Sequence, residues 1–147
     1  MRVVIQRVKE AQVKVEGQVI GQIGLGLLIF LGVARDDNRF SADHLIKKIT
    51  ELRIFEDAQG KMNVSAQEIG GQFLVVSQFT LYGNCDKGRR PSFDEAADPA
   101  LGQELYNYFV AQLKATRAVV ETGQFRATMD VSLINDGPVT FILYSKG

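Results

Sequence analysis

Residues 73–83 read Phe-Leu-Val-Val-Ser-Gln-Phe-Thr-Leu-Tyr-Gly, an apolar run that passes directly into clustered polar side chains. Phe73, Leu74, Val75 and Val76 suit a strand covered on both faces, with Gly71 and Gly83 as natural breaks on either side. Ser77, Gln78 and Thr80 follow at once. Three hydrogen-bonding side chains in four positions must be satisfied by neighbours or meet a ligand. One reading is a strand end whose hydroxyls cap nearby backbone, and the other is a chemical site. The strand-to-helix serine elbow of the hydrolases is absent.

At 147 residues the chain reads as one domain, residues 1–147, able to bury roughly 70% of its unfolded surface. Cys85 is the single cysteine, so no intrachain disulfide forms, and the chain reads as intracellular with a free thiol. His44 is the single histidine, which excludes zinc sites built from Cys and His. Cys-His catalysis would need Cys85 and His44 to meet, and a Ser-His-Asp triad would need His44 as its base. Beside Asp43 in an expected helix, His44 reads instead as solvated. With 17 basic and 17 acidic residues the net charge is zero, so any basic site must be local. The longest apolar run, residues 25–34, is too short to cross a bilayer. A soluble, cytoplasmic protein that needs no metal or cofactor is expected.

Along the chain, residues 3–8 are strand-like, with Arg7 among apolar neighbours where a structural ion pair is the default reading. Val13, Val15 and Val19 around Glu16-Gly17 suggest a hairpin, and residues 27–33 form a continuous apolar strand expected at the centre of a sheet. Asp36, Asp37 and Ser41 offer caps for a helix carrying Leu45, Ile46, Ile49 and Leu52 at helical spacing. Gln59-Gly60 marks a turn, and residues 62–71 carry no clear pattern. Residues 83–98 form a polar loop containing Lys87, Gly88, Arg89, Arg90 and Pro91, long enough to be functional. Asp98-Pro99 starts a second helix with a stripe of Leu101, Leu105, Tyr108, Phe109 and Leu113. Met129, Val131 and Leu133 alternate with Asp130 and Ser132, and Asn135-Asp136-Gly137-Pro138 reads as a hairpin turn. A proline directly after the glycine removes a donor and permits a cis bond.

Taken together, residues 77–83 and the Asn135-Asp136-Gly137-Pro138-Val139-Thr140 segment resemble the paired signatures of the D-aminoacyl-tRNA deacylases, enzymes of chiral proofreading. The similarity spans the whole chain. It includes residues 2–8, Leu52-Arg53-Ile54-Phe55-Glu56-Asp57, Gly60-Lys61-Met62-Asn63, the basic residues 87–93, and Val120-Glu121-Thr122-Gly123. The resemblance implies an α+β fold, a compact barrel-like β-sheet domain with helices packed outside. It also implies a homodimer whose two active sites lie at the subunit interface.

In such a family the Gly-Pro bond is cis, and Gly137 and Pro138 of one subunit reach into the pocket of the other. There they would meet the α-amino group of a D-aminoacyl ester and exclude the L form. Ser77, Gln78, Phe79 and Thr80 would form the facing, catalytic wall, and Met129 and Phe125 would line the pocket, although each suits an ordinary core as well. The ester is already activated, so a placed water and backbone N–H groups near Phe79 and Thr80 suffice in principle. The 2′-hydroxyl of the terminal adenosine is the group the family is thought to use for assistance. Lys87, Arg89 and Arg90 would neutralise phosphates of a tRNA carrying a D-amino acid. Glycine mischarged on tRNA is a further candidate substrate. A non-catalytic RNA-binding or interaction module of the same fold is the alternative, and a generic Ser/Thr esterase is disfavoured for want of a histidine base.

Overall fold

In the computed structural model, which describes residues 1–145, the chain runs β1 (Arg2–Val15), β2 (Gln18–Ile23), β3 (Gly26–Gly32), α1 (Arg39–Glu51), β4 (Phe55–Glu56) and β5 (Met62–Val64). It continues through β6 (Gln72–Ser77), a 3-10 turn (Phe79–Tyr82), α2 (Pro99–Ala115), β7 (Val120–Thr122) and β8 (Asp130–Tyr144). Six strands form one sheet in the order β2-β1-β3-β6-β7, with β8 paired to β1. Strand β1 is long enough to organise this. It pairs with β3 through Arg2 to Val8, with β2 through Ala11 to Val15, and with β8 along nearly its whole length. The Glu16-Gly17 turn between β1 and β2 has positive φ at both residues, as the tight hairpin requires. At Gly21 of β2 a Cβ would overlap the Thr122 carbonyl of β7, so glycine permits the approach that nearly closes the sheet into a barrel.

Strands β3, β6 and β7 run parallel, and parallel neighbours need crossovers. Helix α1 lies in the first crossover and α2 in the second. Alternation then sorts the core. Leu27, Ile29, Leu31, Phe73 and Val75 face the helices, meeting Leu45, Ile49, Leu105, Phe109 and Leu113. Leu28, Leu74 and Val76 point the other way, into a second core with Val8, Ala11, Val13 and Ile23. Residues 73–76 are therefore buried on both faces, as their unbroken apolar character predicts.

Several expectations are corrected. Residues 3–8 and the first arm of the hairpin are one 14-residue strand, because Lys9 and Glu10 are exposed without breaking the pairing. Helix α1 is capped by Asn38 in a reciprocal box with Ser41, while Asp37 turns away to the Met1 ammonium and the Ala34 N–H. Residues 62–64, expected to be irregular, form β5 and pair with β4 across the Gln59-Gly60 turn. In α2 the buried stripe is Leu105, Tyr106, Phe109, Val110 and Leu113, while Tyr108 lies at its flank and donates to Asp43 at 2.7 Å.

The expected hairpin at residues 135–138 is absent, and β8 continues through it. Between Gln6 and Val8 strand β1 advances two residues, whereas their partners Thr140 and Asn135 are five apart, so three residues of β8 loop out as a bulge. Gly137-Pro138 lies in that bulge with a cis peptide bond. Arg7, buried beneath it, ion-pairs with Asp136 at 3.1 Å and donates to the Ile54 carbonyl at 2.8 Å. The ion-pair reading of Arg7 holds.

Burial pushes the hydroxyls of Tyr82 and Tyr106 up to about 12. An acid whose folded pKa is raised stabilises the fold below its unfolded value, and that stability is lost as pH rises from about 10 through about 12. Chemical denaturation between pH 8 and 12 is expected to show a midpoint that falls over this window. In Tyr82→Phe/Tyr106→Phe that fall should be shallower, and an unchanged slope would refute the assignment.

Candidate active site

Ser77 ends β6 in register with Leu31 of β3, and the Gln78 N–H donates to the Leu31 carbonyl at 2.8 Å, so the strand pairing carries one residue past its apolar part. The chain then folds at once into the 3-10 turn. Within it Leu81 N donates to the Gln78 carbonyl and Gly83 N to the Thr80 carbonyl. The N–H groups of Phe79 and Thr80, at the open start of the turn, have no intramolecular acceptor among the described residues.

The turn is held from below. Arg2 donates to the Leu81 carbonyl at 2.6 Å, and its guanidinium lies 4.6 Å from the Tyr82 ring centre and 4.9 Å from that of Tyr144. A Cβ at Gly32 would stand 3.0 Å from Leu81 Cβ and 3.1 Å from the Gln78 carbonyl, so β3 and the turn touch through a position that only glycine fills comfortably.

A cleft of about 690 Å³ opens beside this turn. Ser77, Gln78 and Phe79 form one wall, and Phe125 and Met129 another, so five of the residues singled out in the sequence meet in one place. Thr80 stands outside the lining, exposed, with its hydroxyl accepting from the Gln78 amide. Phe125 belongs both to the cleft lining and to the packing around the first core. Its ring packs 6.0 Å from Tyr106 while it lines the cleft. Met129 also packs against the second core. His44 and Cys85 are exposed and line no part of the cleft, which removes the Cys-His and Ser-His arrangements. Tyr82 and Tyr106, held protonated by burial, supply no base at neutral pH.

Lys87, Arg89 and Arg90 sit exposed at the tip of the loop, which is pinched at its base by paired hydrogen bonds between Asn84 and Ser92. Gly88 has a φ of 67°, which lets the tip turn back. Phe93, just past the pinch, lines the cleft and meets Phe79 with ring centres 5.1 Å apart. The basic tip is thus tied to the wall of the cleft. Gly137 and Pro138 lie elsewhere, on the exposed bulge of β8, and do not line this cleft.

Sequence reasoning misses Phe93, Asp98 and Arg126 as cleft residues. Asp98 reads in the sequence only as the helix cap that it also is, accepting from Leu101 N at 2.8 Å. No spacing rule points to the other two, because their approach depends on how the two loops fold back over the end of the sheet.

Comparison with known proteins agrees with this geometry. The chain is 56% identical to the D-aminoacyl-tRNA deacylase of Thermosipho africanus (strain TCF52B) over 146 residues, 99% of this chain and 98% of that one. It is 53% identical to the D-aminoacyl-tRNA deacylase of Bacillus mycoides (strain KBAB4), covering 99% and 100%. The solved structure of a protein named "c-Myc DNA Unwinding Element Binding Protein" superposes with a TM-score of 0.95 at 39% identity over all of both chains. Another, of a probable eukaryotic D-amino acid tRNA deacylase, shares the fold with a TM-score of 0.86 at 18% identity over 97% of each. Matched to the family over residues 4–144 and more than half identical to such relatives along nearly its whole length, the chain belongs to the D-Tyr-tRNA(Tyr) deacylase family.

Proposed function

We propose that the chain hydrolyses the ester joining a D-amino acid to the terminal adenosine of tRNA, working as a homodimer in the cytoplasm. The observation that carries the chemistry is the pair of unengaged N–H groups at Phe79 and Thr80, beside an apolar cleft that no imidazole reaches. An aminoacyl ester needs little more. With the ester carbonyl against those two amides, water attacks the carbonyl carbon and the charge that develops on oxygen is met by fixed donors. Collapse of the tetrahedral intermediate breaks the bond to the ribose oxygen, which the neighbouring hydroxyl of the same ribose assists. Thr80 is assigned its amide as the contributing group, while its hydroxyl accepts from the Gln78 side-chain amide.

Selection between D and L forms is assigned to Gly137 and Pro138 of the partner subunit. Two features support a contribution across subunits. The bulge is absent from its own cleft, and β8 exposes Ile134, Phe141, Ile142 and Tyr144 along a strand whose only partner among the described residues is β1. The enantiomers carry identical groups, so discrimination has to come from a rigid obstacle to one of them. Incubation with D- and L-tyrosyl-tRNA at matched enzyme concentration tests this reading. Hydrolysis of the D ester alone is expected, and equal rates on both would overturn it.

Lys87, Arg89 and Arg90 are assigned to tRNA phosphates, supported by their exposure on a loop anchored to the cleft wall. Alanine at all three is expected to weaken tRNA binding and to lower the log–log salt slope by about 2, near 0.7 for each lost contact. An unaltered slope would remove the assignment. A second reading, a nucleic-acid-binding module without turnover, is favoured by the 39% identical relative, a protein named for binding a DNA unwinding element. Tight binding of DNA together with inert D-tyrosyl-tRNA would support it.

A further inference from the structure

We infer that Arg126 is a specificity residue that contacts the phosphodiester leading into the terminal adenosine, so that the cleft recognises the end of a nucleic-acid chain rather than an isolated aminoacyl nucleoside. The inference rests on the ester-hydrolase reading above. Arg126 lines the same cleft as Ser77, Gln78 and Phe79, yet the residue is exposed. Among the described residues it makes no ion pair and no side-chain hydrogen bond, although the Asp98 carboxylate, which accepts from Leu101 N, lines the same cleft. A lining cation that is not ion-paired among the described residues favours an anionic group beside whatever the cleft encloses.

Backbone geometry supplies the second observation. Arg126 has a φ of 65°, in the left-handed region where a residue with a Cβ is uncommon and glycine is the natural occupant. Its neighbours leave it little choice. Phe125 is packed against Tyr106 and lies 3.6 Å from the position of a Cβ on Gly102, while Met129 seats in the second core and crowds Gly123. The Ala127 N–H closes the turn on the Gln124 carbonyl at 3.2 Å. The left-handed backbone therefore sets an arginine, where glycine would fit more easily, between two anchored residues of the cleft lining.

The chemistry of the partner follows. The basic loop tip lines no part of the cleft and suits phosphates further along the chain. Arg126 is on the cleft itself and suits the nearest one. A guanidinium matches the paired oxygens of a phosphodiester, which an ammonium does less well.

Two non-hydrolysable ligands test this by calorimetry: a D-aminoacyl amide of 3′-amino-adenosine, which has no phosphate, and the same group on a cytidylyl-adenosine dinucleotide, which has one. For the protein as it stands the dinucleotide is expected to bind at least about tenfold more tightly, with a salt slope greater by about 0.7. Arg126→Gln and Arg126→Gly should abolish both differences while leaving adenosine-ligand affinity within about twofold, and Arg126→Lys should restore part of the gain. Arg126→Gly should fold at least as stably as the parent, since it relieves the positive φ, so loss of the phosphate effect in it cannot be blamed on unfolding. Equal dinucleotide affinity in all four proteins would overturn the inference while leaving the esterase reading intact. Failure of the unaltered protein to bind either ligand or to hydrolyse D-tyrosyl-tRNA would instead overturn the esterase reading on which it rests.

Discussion

Phe79→Pro is expected to lower turnover of D-aminoacyl-tRNA by about a hundredfold to a thousandfold, the loss typical of removing one oxyanion donor. The substitution suits the backbone. Phe79 is the first residue of the 3-10 turn, its N–H serves no intramolecular bond among the described residues, and Gln78 before it has a φ of −143° and a ψ of 78°, outside the helical region that a following proline disfavours. What proline removes is therefore the donor and the ring. Phe79→Ala removes only the ring, which is half exposed and touches Phe93, so the ratio of the two variants isolates the N–H. Thr80→Val completes the set by deleting the hydroxyl at nearly constant shape, and it should cost less than tenfold if activation lies in the main chain. A single-turnover assay on D-tyrosyl-tRNA reads all three. Should Thr80→Val prove as damaging as Phe79→Pro, catalysis through the side chain would replace the main-chain account.

The basis of that test is half legible in the sequence. The step from Val76 to Ser77 announces the end of a buried strand, and hydrophobic patterning alone places Ser77, Gln78 and Phe79 where the cleft opens. The free amides are another matter. They exist because the chain turns into a 3-10 helix held by Arg2, a residue nearly eighty positions away, and no local pattern reports a contact of that range.

The same distinction separates the first residues of β8 from its middle. Its Met129, Val131 and Leu133 alternation is local and readable, and it does pack on the second core. The Asn-Asp-Gly-Pro segment carries strong hairpin chemistry, but pairing with β1 on both sides holds it in one strand and forces out a bulge. Tertiary pairing overrides turn propensity there. Asn38 is overlooked as a cap for a simpler reason: Asp36 and Asp37 compete with it in sequence, and only the structure shows Asp37 engaged by the Met1 ammonium.

Gly137→Ala is expected to reduce D-aminoacyl-tRNA hydrolysis by about a hundredfold, as displacement of a positioning group by about 1 Å can do, while leaving stability nearly unchanged. Within its own chain the new methyl would meet the Asn135 carbonyl oxygen at an ordinary 4.0 Å and, among the described residues, crowd only the Asn135 side-chain amide at 3.1 Å, the far end of a side chain able to give by a few tenths of an ångström. A large loss of activity would therefore report contact with something outside that subunit. Which site it serves is decided by mixing. In a symmetric dimer, Phe79→Pro and Gly137→Ala chains that are unfolded and refolded together form heterodimers in about half of the pairings. If the bulge acts across the interface, each heterodimer holds one site with both residues intact, because the Gly137→Ala chain supplies its Phe79 and the Phe79→Pro chain supplies its Gly137. Activity should then recover to about a quarter of the unaltered protein's, one intact site in half of the dimers. If Gly137 serves its own subunit, every site in every pairing carries one defect and no recovery occurs. A monomeric protein that is fully active, or a mixture no better than its parts, would end the account of a filter shared between subunits.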